Sequence, residues 1–125
     1  MARATINKTT LIPAYPTLPV TANSADMVFA ATTGSSGSNG NQIPFGNADE
    51  LVVLVQNTDG ANPYTFLLTS KADQLNRTGD IGPYTLQANE FAVFTVKRTG
   101  FRQADGYLYC ESNNAAIKVA AFDVN

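Results

Sequence analysis

No histidine occurs among the 125 residues. That removes the commonest general base, the Ser–His and Cys–His nucleophile pairs and every imidazole metal ligand at once. The acids that remain are few and scattered. Asp49 and Glu50 are adjacent at the head of an apolar run, so in a strand their side chains point to opposite faces. A glycoside-cleaving pair must instead flank one cleft, about 5–10 Å apart. Asp73, Asp80 and Asp105 fall in predicted loops, where aspartate forms turns by bonding its own backbone. The run Asn57-Thr58-Asp59-Gly60-Ala61-Asn62 is rich in oxygen, yet it lacks the alternate acids and closing glutamate of a calcium loop; it reads as a turn. Cys110 is the single cysteine. Set in an apolar strand pattern, it reads as a small buried hydrophobe rather than a reactive thiol. Asn7-Lys8-Thr9 and Asn76-Arg77-Thr78 match the glycosylation sequon, a pattern that an Asn- and Thr-rich chain produces by chance. No catalytic, cofactor or metal site is expected, and the chain reads as non-enzymatic.

Composition narrows the class further. The length suits one domain with its own core. Charged residues make up 14%, against the usual ~25%, and Thr, Asn, Ser and Gly fill the deficit. Such a surface suits a protein that works inside a large assembly. Net charge is −2, without the basic stripe that phosphate neutralisation needs, so no nucleic-acid partner is expected. Neither a signal peptide nor a bilayer-spanning apolar run is visible, and no membrane partner is expected.

Hydrophobic patterning points to strands throughout. Glu50-Leu51-Val52-Val53-Leu54-Val55-Gln56-Asn57 is a continuous, β-branched apolar run of the kind covered on both faces. A turn-rich stretch to Pro63 follows, then alternation from Tyr64 to Thr69. These three pieces predict a β-hairpin over Glu50–Ser70, with Val52, Leu54, Phe66 and Leu68 buried. Pro83 removes a ladder donor, so Ile81–Leu86 should be an edge strand. Phe91–Val96 is a further strand, Thr99–Gln103 carries exposed-looking Phe101 and Arg102, candidates for a protein interface, and Tyr107–Ser112 and Ala116–Val124 form a final pair. Met27–Ala30 is another candidate strand, and a helical turn near Ala72–Leu75 is weakly supported. No stretch shows a capped 3.6-residue stripe. The fold class is therefore all-β: an antiparallel β-sandwich, jelly-roll or Ig-like, of about eight short strands.

Two segments stand apart from that sandwich. Residues 1–20, with Pro13, Pro16 and Pro19 at intervals of three, predict an extended N-terminal arm. Its apolar residues Leu11, Ile12, Tyr15 and Leu18 need a surface to lie on, in the same domain or a neighbour. Residues 32–42 form a Gly/Ser-rich loop within the 21–125 domain, with no side chain able to bury much area. On the strand from Tyr107, Leu108 and Cys110 share the core face while Tyr107 and Tyr109 face outward. On the last strand, Ile117, Val119 and Ala121 point in and Phe122 points out. If those outer faces adjoin, Tyr107, Tyr109 and Phe122 make an aromatic patch, covered either by the chain's own arm or by a partner.

The run Leu51–Gly60, the later Gly82–Phe94, Asp105-Gly106, the strand at Tyr107 and the terminal Ile117–Phe122 together resemble small all-β capsid decoration, or cement, proteins of tailed bacteriophages. The resemblance spans roughly residues 50–124. It implies a β-sandwich bound to the capsid exterior, often as a homo-oligomer (dimer or trimer), reinforcing contacts of the major capsid protein in virions assembled in the host cytoplasm. On that expectation the arm residues Leu11, Ile12, Tyr15 and Leu18 bury against capsid subunits, and Arg3 and Lys8 meet acidic capsid surface. The alternative expectation is a virion host-recognition or carbohydrate-binding module using Tyr107 and Tyr109.

Overall fold

Residues 3–9, 27–33 and 40–124 are described by the computed structural model, and nearly all regular structure in them is β. The strands are β1 (Ala4–Thr5), β2 (Ala30–Ala31), β3 (Asn41–Pro44), β4 (Glu50–Asn57), β5 (Tyr64–Thr69), β6 (Ile81–Leu86), β7 (Phe91–Lys97), β8 (Tyr107–Ser112) and β9 (Ile117–Val124). They form two sheets. Sheet A has the order β1-β3-β8-β5-β6, and sheet B the order β2-β9-β4-β7. All pairings are antiparallel except β1 with β3. The protein is an all-β sandwich.

Successive strands mostly change sheet, and this corrects two expected hairpins. β4 pairs with β7 and β9 in sheet B, whereas β5 pairs with β6 and β8 in sheet A. The turn-rich Thr58–Pro63 is thus an arch between layers about 10 Å apart, not a hairpin loop. β8 and β9 are divided between the sheets in the same way. Sequence-local turn chemistry specifies a reversal but not whether the returning strand pairs or crosses over. Among the described residues, only β5 and β6, joined by the polar 70–80 loop, form a sequential hairpin. Pro83 sits on β6, an edge of sheet A, as its missing N–H requires.

The core lies between the sheets. β4 contributes Leu51, Val53 and Val55, all fully buried, while Val52 and Leu54 face outward and are only partly buried. The expected register was therefore wrong by one residue. Both faces of this run are apolar, so alternation carries no information about which faces in. Elsewhere the inward faces are as expected: Phe66 and Leu68 on β5, Leu108 and Cys110 on β8, and Ile117, Val119 and Ala121 on β9. Burial pushes the Cys110 thiol up to about 12, against a smaller opposing pull from Arg3.

The N-terminal residues correct the picture of a free arm. Ala4 and Thr5 pair in parallel with Asn41 and Gln42, and Ile6 is 2% exposed within the core. Thr9 N–H then donates to the Ala121 carbonyl of sheet B at 2.7 Å. Residues 3–9 belong to the sandwich and tie its two layers together. The arm residues Leu11, Ile12, Tyr15 and Leu18 lie outside the described residues. The Gly/Ser loop also narrows: Thr32 is buried, its hydroxyl bonded to Ser112 Oγ and the Ile117 carbonyl, and Gly40–Gln42 are built into sheet A. Gly40 has φ +80°, and a Cβ there would lie 2.9 Å from the Cys110 carbonyl oxygen. The region near Ala72–Leu75 is a turn rather than a helical one, held by Asp73.

Candidate docking surfaces

The loop aspartates act on their own loops. Asp59 accepts the Ala61 and Asn62 N–H groups at 2.8 and 3.0 Å and the Tyr64 hydroxyl at 3.3 Å. Those backbone donors hold its carboxyl below the ordinary aspartate value. Asp73 binds the Arg77 N–H and guanidinium, Asp80 caps Ser70, and Asp105 accepts the Tyr107 N–H and the Tyr109 hydroxyl. Among the described residues no three acids or thiols gather where they could share a metal ion. The buried Asn57 staples the β4–β5 arch. Its Nδ2 donates to the carbonyls of Asn62, Leu86 and Gln87, and its Oδ1 accepts the Asp59 N–H.

Chemistry is sparse, but the two outer faces of the sandwich differ sharply. Alternation along each strand assigns Thr5, Gln42, Thr65, Leu67, Thr69, Thr85, Tyr109 and Glu111 to the outside of sheet A. This face is dominated by hydrogen-bonding groups and is internally knitted. The Arg3 guanidinium lies 4.1 Å from the Tyr109 ring centroid, pairs with Glu111 at 3.0 Å and reaches the Asn41 carbonyl at 3.3 Å. The hydrogen bond to Asp105, with burial, raises the Tyr109 hydroxyl above its ordinary value.

The outside of sheet B is apolar. Its strands turn outward Val52, Leu54 and Gln56 on β4, Phe91, Val93 and Thr95 on β7, and Lys118, Ala120 and Phe122 on β9; the β7 residues are exposed, Ala120 is fully covered and the others are half-buried. Phe91 and Val93 are each 63% exposed. The Phe29 ring meets Phe91 edge-on at 6.3 Å between centroids. β2 and β7 are opposite edges of sheet B, about 14 Å apart at three strand spacings, so Phe29 leans across this outer face. Val28 beside it is 68% exposed.

Several expected interface residues therefore change role. Arg3 and Lys8 are not free to meet an acidic partner: Arg3 is engaged on sheet A, and Lys8 pairs with Asp123 at 2.7 Å. The Lys8–Asp123 contact is an ion pair without hydrogen-bond alignment, the ammonium donating instead to the Phe45 carbonyl at 3.2 Å. Phe101 is not exposed but packs partly buried against the core, and Arg102 is likewise half-buried, in the turn Arg98–Phe101 and just after it. Tyr107 and Tyr109 face out from sheet A and Phe122 from sheet B, so these three rings do not form one patch. Phe91, Val93, Val28 and Phe29 were missed as surface candidates. The usable signal was Phe91 and Val93 sharing one face of the β7 strand by alternation. Comparison with family models, curated proteins and solved structures gives no match.

Proposed function

We propose that this chain is a non-enzymatic structural protein of a virion, a phage capsid decoration (cement) protein that docks on the outer capsid surface through sheet B. The observation that carries this reading is the contrast between the faces: sheet A ends in a self-satisfied polar network, sheet B in an apolar face exposed along β7 at Phe91 and Val93 and half-buried at Val52, Leu54 and Phe122. A one-sided apolar face on a rigid, charge-poor body suits attachment to a larger surface. The resemblance of residues 50–124 to capsid decoration proteins supports assembled capsid subunits as that surface. Repetition over many sites converts modest contacts into secure attachment and couples neighbouring subunits. No observation favours the glycan-binding alternative, because Arg3 covers the ring of Tyr109 and Asp105 holds its hydroxyl.

Stoichiometry tests this reading. Quantitative mass spectrometry of the virion that encodes the chain should find a copy number comparable to that of the major capsid protein. A handful of copies per particle, as for a tail fibre, or none, would overturn it.

A further inference from the structure

Among the described residues, each sandwich edge but one is blunted. β1 and β2 are two residues long, and β6 carries Pro83 and a register shift against β5. Short strands, prolines and bulges are how sheets avoid pairing with other chains. β7 has none of these. It is seven residues long, contains no proline, and pairs with β4 in unbroken register from Glu50–Lys97 to Gln56–Phe91. Among the described residues nothing pairs with its other side.

The ladder shows which backbone groups are unused. Asn57 N–H donates to the Glu90 carbonyl, and Arg98 N–H to the Asp49 carbonyl. In an antiparallel pair the hydrogen-bonded residues alternate, so Ala92, Phe94 and Val96 bond to β4. Phe91, Val93, Thr95 and Lys97 then aim their N–H and C=O groups away from the sheet. The charges at the strand's ends are opposite in sign: Glu90 precedes it, and Lys97 and Arg98 close it. Glu90, Lys97 and Arg98 are all exposed.

We propose that β7 pairs antiparallel with β7 of a second copy of this chain, about a two-fold axis at Phe94, joining the two B sheets into one. Charge and side-chain complementarity select this occupant. Under that axis Phe91 lies opposite Lys97 and Val93 opposite Thr95, the pairs whose backbone groups are free. Glu90 lies opposite Arg98 at each end, and no like charges oppose. Phe94 meets its own copy in a close, non-hydrogen-bonded pair. This closes the side where the core is open: Phe94 is half-buried, stacked on Phe66 at 6.1 Å, and Tyr84, 45% exposed, packs edge-on against it at 5.5 Å. The pairing concerns the isolated chain in solution and does not rest on the capsid reading. An isologous contact of this kind closes on itself and leaves the outer faces of both B sheets on one side.

Sedimentation velocity of the full chain across a concentration series tests it. The wild type should be a dimer. Val93→Pro removes an N–H that the β4 ladder does not use, so it should stay folded by circular dichroism and sediment as a monomer. Glu90→Arg and Arg98→Glu should each weaken dimerisation at least about fivefold, and the double exchange should restore it. A wild type that stays monomeric at high concentration overturns the proposal. So does a dimer that survives Val93→Pro, or single charge reversals without effect. Should Val93→Pro fail to fold, the charge exchange decides alone. A monomer in solution leaves the capsid reading standing, and absence from the virion leaves the dimer standing.

Discussion

Asn57 closes the β4–β5 arch through its side-chain amide. It ends β4, lies fully buried, and satisfies carbonyls from the end of β6 and from the arch. Asn57→Ala would leave those acceptors without a donor inside the protein. A loss of about 2–3 kcal/mol is expected, read as a lowered midpoint in urea unfolding. Asp59, two residues on, couples the same arch to pH. Its carboxyl is held below the ordinary value in the folded state by the Ala61 and Asn62 N–H groups. Its contribution to stability is thus complete above the unfolded value of about 4 and lost as pH falls through the lower folded value. Asp73 behaves the same way. Thermal melts from pH 5 down to pH 2 should fall less steeply for Asp59→Asn than for the wild type. Equal slopes would mean that the carboxylate's contacts are not maintained in solution.

At the scale of elements, strands were legible and their partners were not. The apolar run at β4, the alternation of β5, Pro83 on an edge and the inward faces of β8 and β9 all follow from residue type and period. The layer to which each strand belongs does not. Thr58–Pro63 and Asn113–Ala116 have ordinary turn chemistry; the tertiary ladder makes them arches, with the buried Asn57 clamp at the first. Val52 and Leu54 seemed interior because β4 is apolar on both faces. The second face is instead the apolar exterior of sheet B, so the error in register and the missed surface have one origin. Residues 3–9 were misread as part of an arm because two-residue β1 leaves no periodic trace, and a single isoleucine carries its burial. Ile6→Ala should therefore cost about 2–4 kcal/mol, measured by guanidinium unfolding. A near-zero cost would mean that the amino-terminal residues lie loosely on the sandwich. Truncation through these residues would damage the fold itself and could not report on docking.

For the whole molecule, rigidity and asymmetry are what its architecture supplies. The arches and the residues 3–9 strap bind the two layers, so the sandwich presents its faces as fixed surfaces. One is polar and internally bonded; the other exposes aromatic and aliphatic groups. On the proposed reading such a body would transmit load between the subunits it straddles, and a β7-linked pair would offer two such faces together. Attachment then gains from repetition, since each linked site raises the effective concentration at the next. The decisive measurement is the occupancy of chain-depleted virion capsids by purified variants. Val52→Thr with Phe122→Thr removes apolar surface from the facing pair on sheet B and places strand-favouring, β-branched threonine at both positions. Tyr107→Ser alters sheet A. With folding verified by melts, the sheet B variant should lose occupancy while the sheet A variant binds like the wild type. Undiminished binding of the sheet B variant, or loss confined to the sheet A variant, would contradict docking through the apolar face.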